Sequence, residues 1–341
     1  MRYVPGGARC CFSIKTIKRL RNAVMRAAVR IPDAPAIVLV NPASGRGRAK
    51  KSLLRVRETF DERKYSASFV ETSSRQEMQE LARGAIAGGT RLLIAMGGDG
   101  TVQAVVEEAI GHEVAVGVIP CGGGNDFGAA LGIPTEPAAA ANLLLDGEVR
   151  AVDVARATTA DGKSRIFLGG GGVGLDAETT RHANERYGGW PGRLRYVTAA
   201  LHAYMQFQPI SVKADFPETG LTVDGGALLT ASVLNTPTFG AGIRLAPEAR
   251  MDDGMLDVVF LDYLRWGEIL RLLPRLMING TIPDSRLKRF RTAKVRLSAD
   301  RACMFHGDGE IFGPAPVEIE VLRGGVNVLA PRAGKGSREQ P

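Results

Sequence analysis

Arg91-Leu-Leu-Ile-Ala-Met-Gly-Gly-Asp-Gly-Thr101 is an apolar run of strand length that breaks into glycines around one aspartate and then enters a helical pattern. Glycine after a buried strand lets the backbone approach a ligand closely, and the N–H groups of the next helix start can hold an anion. An aspartate among those glycines suits a cation that bridges phosphates. Alone, such a stretch reads equally well as a tight strand-to-helix turn capped by Asp99, so the flanking sequence decides.

Working outward, Ala36 to Val40 is an apolar strand ending in the turn Asn41-Pro-Ala-Ser-Gly45, and residues 46–60 carry a helical pattern. Tyr65 to Glu71 alternates as a second strand, 75–87 reads as a helix, 91–96 is the third strand and 102–110 the next helix. Val114 to Ile119 is a fourth strand, running into Pro120-Cys-Gly-Gly-Gly-Asn-Asp-Phe127. Strands alternating with helices predict a parallel sheet with its ligand crevice at the carboxyl ends of the strands. After a helix over 136–145 the pattern changes. Residues 149–157, 165–173, 211–216, 227–235, 255–262, 293–299, 317–322 and 326–330 read as strands, with helical patterns only near 189–207 and 265–279. This predicts a largely antiparallel sandwich or barrel. The expected organisation is a leader over 1–34, an α/β domain over 35–148, a β-rich domain over 149–330 and a polar tail over 331–341.

The net charge of +8 over 341 residues is unevenly placed. Residues 1–50 hold 11 basic groups and one acid, Asp33, which leaves 33 basic and 35 acidic groups in the rest. The basic excess therefore belongs to one end and does not describe a nucleic-acid-binding globule. Within that end, Ile14, Ile17, Leu20, Val24, Ala27, Ala28 and Ile31 repeat at helical spacing, with Lys15, Arg19, Arg26 and Arg30 on the opposite arc. Such a helix can lie on an anionic membrane surface, pack on the domain, or serve as a leader. Four cysteines without metal-ligand spacing predict neither a zinc site nor disulfides, and no run is long enough to span a bilayer. His112, His182, His202 and His306 are scattered and read as surface or structural residues.

Taken together, the ordered motifs resemble the diacylglycerol kinase catalytic-domain family, which includes bacterial lipid kinases and sphingosine and ceramide kinases. They are Asn41–Gly45, Gly97–Thr101, Pro120–Phe127, Gly172–Asp176, Leu245–Ala249 with Asp253–Asp257, and Gly307–Glu310. The resemblance implies a phosphofructokinase-like nucleotide domain, a β-rich lipid-binding domain, and ATP-dependent phosphorylation of a lipid hydroxyl, foremost diacylglycerol. Sphingosine, ceramide and phosphatidylglycerol kinases are related readings. NAD kinases share Gly-Gly-Asp-Gly-Thr and a two-domain build, and a non-catalytic binding module is the reading from another class. The expected setting is the cytoplasmic face of a membrane, without nucleic acid, and with room for a homodimer.

The family pattern also assigns residues. Asn41, Pro42, Ser44 and Gly45 look like nucleotide contacts, and Gly97, Gly98, Gly100 and Thr101 line the phosphates as backbone donors plus one hydroxyl; Thr72, which ends the second strand in the same crevice, is a further nucleotide candidate. Gly122, Gly123, Gly124 and Asn125 continue that cradle, although Gly123 stands where relatives commonly carry threonine. Asp99 and Asp126 are assigned to Mg2+ on ATP, Asp99 with a base role as an alternative. Glu310 matches the proton acceptor proposed for the bacterial enzymes, and Asp308 is its neighbour. A second, structural Mg2+ would use the Asp253 side chain and the carbonyls of Arg250 and Met255. The same residues also suit ordinary caps and turns.

Overall fold

The computed structural model describes residues 35–187, 192–240 and 242–332. The leader over 1–34 and the tail from 333 lie outside the described residues. In the α/β domain, β1 (Ala36–Val40), β2 (Ala67–Glu71), β3 (Leu92–Gly97) and β4 (Ala115–Pro120) pair in parallel in the order β4-β3-β1-β2. The connecting helices are α1 (Ser44–Glu62), α2 (Arg75–Ala87), α3 (Asp99–Ala109), α4 (Asp126–Ala130) and α5 (Pro137–Leu145). Every residue of β3 and β4 is buried. Helices covering both faces explain why those strands are apolar throughout.

The second domain is an antiparallel sandwich. Its strands are β5 (Glu148–Thr158), β6 (Ser164–Phe167), β7 (Gly170–Gly174), β8 (Ile210–Phe216), β9 (Leu221–Leu234), β10 (Leu256–Asp262), β11 (Leu287–Thr292), β12 (Lys294–Ala299), β13 (Met304–Gly307), β14 (Glu310–Pro314) and β15 (Val317–Ala330). They run β14-β13-β7-β9-β8-β12-β15, with β10 between β9 and β11. Three helices accompany them: α6 (Leu175–Glu185), α7 (Gly192–Gln206) and α8 (Trp266–Asn279).

The two sheets are joined. Strand β15 pairs with β12 at its start, with β4 at its end, and with β5 along most of its length. Val317 and Ile319 accordingly sit in the sandwich core, and Val326, Val328, Leu329 and Ala330 in the α/β core. Strand β5 divides the same way, Val152 and Val154 facing one core and Ala155 and Ala157 the other. The expected boundary at 149 falls within this shared strand.

Several local departures have physical causes. The expected strand 165–173 breaks at Leu168 and Gly169, because the Asp308 carboxylate accepts from the amides of Leu168 (2.6 Å), Gly169 (2.9 Å) and Gly170 (3.2 Å). The expected strands 317–322 and 326–330 are one strand whose register shifts between Leu322 and Val326. Asp153, 3% exposed, braces that shift. Its oxygens accept from Gly324 N (2.7 Å) and from Gly254 N (2.6 Å) in the loop before β10. Helix α6 and strands β11, β13 and β14 lie where no such element was expected. Helix α6 reads LDAETTRHANE, with too few apolar residues for a clear period.

Candidate active site

The carboxyl ends of β1, β3 and β4 bring their turns into contact, as the alternation predicted. Ser44 Oγ accepts from Gly98 N (3.2 Å), and Asn41 Nδ2 donates to Thr101 Oγ1 (3.3 Å). Gly45 lies at φ 59°, where a Cβ would stand 1.9 Å from the Cys121 carbonyl oxygen. No larger residue fits between the first and fourth turns. Gly122 crosses Gly98 just as closely, a Cβ there standing 2.6 Å from the Gly98 Cα. Asn125, in the left-handed region at φ 58°, closes the fourth turn on itself, accepting from Gly122 N and donating to Gly122 O, both at 2.9 Å. Gly123 is exposed on the same turn, and Pro42 is half-buried at the first.

Two expected nucleotide hydroxyls also make bonds within the scaffold. Thr72 is buried with its hydroxyl donating to Val40 O (3.1 Å), and Thr101 is buried with its hydroxyl accepting from Asn41. Both support the ends of the strands, and the face of the cradle consists of glycine backbone.

Beyond the glycines stand three carboxylates. Asp99 Oδ2 accepts from Asn125 N (2.8 Å), and a Cβ on Gly124 would lie 2.8 Å from Asp99 Oδ2 and 3.7 Å from Asp126 Oδ2. Thr238 Oγ1 donates to Asp126 Oδ1 (3.4 Å). Burial, then the charge of Asp126, raises the Asp99 carboxyl from 3.8 to about 7, against the Asn125 amide and with Asp308 adding to the rise. Burial raises Asp308 to about 6, opposed by its three backbone amides and assisted by Asp126. Among the described residues no three His, Cys, Asp or Glu side chains converge in metal-ligand geometry. The donors present at Gly124 are nevertheless hard carboxylate oxygens whose repulsion a divalent cation would relieve, so they fit Mg2+ carried in on a nucleotide.

Glu310 lies apart from that trio. Its Oε1 is 3.1 Å from Arg75 Nη1 and its Oε2 2.5 Å from Arg165 Nη2. It abuts the glycine turn, 3.6 Å from where a Gly100 Cβ would stand. Arg75 also donates to Gly100 O (3.3 Å), Gln103 Oε1 (3.1 Å) and Glu107 Oε2 (2.7 Å), while Arg165 lies over the Phe312 ring. The structure thus gives Glu310 two cationic partners that no motif disclosed. The expected second cation site is also differently furnished. Asp253 pairs with the Arg291 guanidinium and accepts from Met255 N (3.0 Å), and Arg250 pairs with Asp252. Asp253 thus has a guanidinium partner, Arg291, that the sequence did not disclose.

From Asp99, Asp126 and Asp308 a cavity of about 530 Å3 extends into the second domain. Its walls are chiefly apolar: Leu168, Phe239, Ile243 and Leu245, then Leu229, Leu261 and Leu264, then Tyr196, Val197, Ala200, Leu201 and Tyr204 of α7 with Ile269 and Leu272 of α8. Polar side chains interrupt them, Arg244, Asp176, Ser232 and His306 among them. Asp176 Oδ2 accepts from Ser232 Oγ (3.0 Å) and lies 3.5 Å from His306 Nε2, which has no hydrogen-bond partner at that distance. Burial pushes the Asp176 carboxyl up, but His306 and the Thr230 hydroxyl outweigh it and leave Asp176 below its ordinary value. His306, read from the sequence as structural, is buried in the wall of this cavity.

A glycine cradle at the ends of a parallel sheet, opening through carboxylates into an apolar cavity, defines a kinase that acts on a lipid. Residues 35–157 match the diacylglycerol kinase catalytic domain, and residues 170–330 match the YegS C-terminal NAD kinase beta sandwich-like domain. The chain belongs to this family of diacylglycerol kinase and YegS-like lipid kinases. A diacylglycerol kinase of Mycobacterium tuberculosis is 28% identical over 303 residues, covering 87% of this chain and 95% of the relative. A relative from Stenotrophomonas maltophilia named as a YegS-like lipid kinase is 30% identical over 259 residues, 72% of this chain and 81% of its own. Crystal structures described as diacylglycerol kinases from Bacillus anthracis share the fold. Two of them superpose with TM-scores of 0.71 and 0.65 at 22% and 19% identity, each over 88% of this chain and 98% and 97% of theirs.

Proposed function

We propose that the protein transfers the γ-phosphoryl of ATP, as its Mg2+ complex, to the free hydroxyl of diacylglycerol, forming phosphatidic acid at the cytoplasmic face of a membrane. One observation carries the reading: the apolar cavity is lined at one end by Asp99 and Asp126, which border the glycine cradle, and by Asp308. An acyl chain in the cavity would leave its glycerol end at Asp99 and Asp308, while the turns at Gly45, Gly98 and Gly122 hold the phosphates. Ser232, Asp176 and His306 offer the glycerol ester oxygens and hydroxyl a polar strip within the apolar wall. Leucine-rich walls suit an acyl chain and not the two nucleosides of NAD.

Asp126, beside the fourth turn, is the residue to hold Mg2+, which when bound neutralises charge on the transferring phosphoryl group. Asp99 takes the proton of the lipid hydroxyl as its oxygen bonds to the γ-phosphorus and the bridging bond to ADP breaks. A carboxyl near 7 that faces the cavity suits that exchange, whereas Glu310 is held between Arg75 and Arg165 at the glycine turn. Glu310 then serves to position Arg75 against Gly100. The test is transfer of labelled phosphate from ATP to dispersed dioctanoylglycerol. Asp99→Asn should lower kcat by a factor on the order of 10²–10⁴. Glu310→Gln should act chiefly on KM for ATP and keep kcat within about tenfold, since it alters binding and not the proton transfer. A kcat loss for Glu310→Gln equal to that of Asp99→Asn, with KM unchanged, makes Glu310 the acceptor. Label in NADP and in no lipid overturns the substrate assignment.

A further inference from the structure

Helix α8 carries an apolar ridge that the α/β site does not use. Trp266, Leu270, Pro274 and Ile278 follow one another every four residues, and all are exposed, Leu270 by 50% and Ile278 by 81%. Spacing of four places them along one ridge of the helix surface. Arg271 and Arg275 flank the ridge and are exposed, as is Arg265 just before the helix. The other side of α8 faces inward, where Ile269 and Leu272 line the cavity, and Ile278 stands at its margin. Trp266 stacks on Tyr204, another wall residue, with ring centroids 5.3 Å apart. Met205, exposed by 71%, lies beside Tyr204 at the end of α7.

We propose that α8 is the membrane-docking element, its Trp266–Leu270–Pro274–Ile278 ridge entering the headgroup region of an anionic bilayer and its arginines pairing with lipid phosphates. The proposal rests on the lipid-kinase reading and adds the surface through which the substrate arrives. Single exposed apolar residues are ordinary, but a continuous row of them on one helix marks an interaction surface. Tryptophan and proline beside arginine suit a wet, anionic interface better than a protein groove. Charge excludes the main competing occupant, a second copy of the chain. A two-fold pairing of α8 would set Arg271 and Arg275 of both copies against each other, whereas an anionic bilayer neutralises them. The position also suits the cavity, because Ile278 of the ridge lines it together with Ile269 and Leu272 of the same helix.

The full chain contains two tryptophans, Trp190 and Trp266. In the Trp190→Phe protein, Trp266 emission should shift to the blue on mixing with vesicles of 3:1 phosphatidylcholine and phosphatidylglycerol, and lipids brominated on the acyl chain should quench it. Leu270→Glu should abolish the quenching. Arg271→Glu with Arg275→Glu should weaken binding to the anionic vesicles by about thirtyfold or more, since each basic residue near such a surface is worth roughly a factor of five. It should leave the weak binding to pure phosphatidylcholine nearly unchanged. All three variants should phosphorylate dispersed dioctanoylglycerol at the parent rate, which shows that they are folded. Vesicle binding by Leu270→Glu equal to the parent, no change in Trp266 emission on binding, or a shift that follows protein concentration without lipid would each overturn the proposal, the last by assigning the ridge to a dimer. Normal quenching of Trp266 in a protein that phosphorylates no lipid would sustain the docking surface and sink the kinase assignment.

Discussion

Replacing Asp99 by asparagine should make the protein more stable at neutral pH while it disables catalysis. Burial, then the charge of Asp126, raises the Asp99 carboxyl from 3.8 to about 7 in the folded chain. A folded value above the unfolded one means that the native state holds the proton more tightly. Stability from this group is therefore greatest below about pH 4, falls as pH rises, and reaches its full deficit above about pH 7. That span is worth about 4 kcal/mol at 1.36 kcal/mol per pH unit, and screening through the open side of the site lowers it to about 2–4 kcal/mol. Asparagine has the same shape and keeps an oxygen for the Asn125 amide, which donates to Asp99 at 2.8 Å. Calorimetric or circular-dichroism melts near pH 8 should show the Asp99→Asn protein melting roughly 3–6 °C above the parent, and the gap should close near pH 4. Millimolar Mg2+ with ATP should raise the melting temperature of the parent more than that of the variant, because the cation supplies the compensation that the neutral amide no longer needs. Equal melting temperatures at pH 8, or a difference of the same size at both pH values, would refute the assignment of a strained carboxylate cluster.

Other consequences follow from named contacts. Asp153→Ala removes the acceptor of the Gly254 and Gly324 amides and should cost about 2–4 kcal/mol in urea unfolding, with β15 losing its hydrogen-exchange protection first. Asp153→Asn, which keeps one acceptor, should lose about half of that. Ala200→Trp should fill part of the cavity wall on α7 and exclude three or four methylenes of a long acyl chain. At about 0.8 kcal/mol per methylene the kcat/KM for dioleoylglycerol should fall by roughly fifty- to two-hundredfold. Turnover of dioctanoylglycerol should change little, and equal losses on both lipids would place the acyl chain elsewhere.

Much of this protein was legible in its residues before any coordinates. Short-range rules decide that Leu92–Gly97 is a buried strand, that a glycine turn and a helix follow it, and that the strands and helices of 36–145 alternate into a parallel sheet. The motifs at Asn41, Gly97, Gly122 and Gly307 name a family, because close approach of backbone to phosphate needs glycine and few other solutions exist. The tertiary structure decided what lies between those motifs. Val317 to Ala330 is one strand shared by two cores, since its register shift depends on Asp153, more than 160 residues away in the chain. Thr72 and Thr101, which read as nucleotide contacts, also bond within the scaffold, to the Val40 carbonyl and the Asn41 amide. The arginines that hold Glu310 come from α2 and β6, and the wall that makes the cavity comes from β7, β9, β10, α7 and α8. No periodicity reports such pairings, because they are set by which surfaces meet when two domains close on a common strand. The chain alone therefore marked out the glycine turns and the lipid-kinase resemblance, and only the fold showed that the turns border a largely apolar cavity.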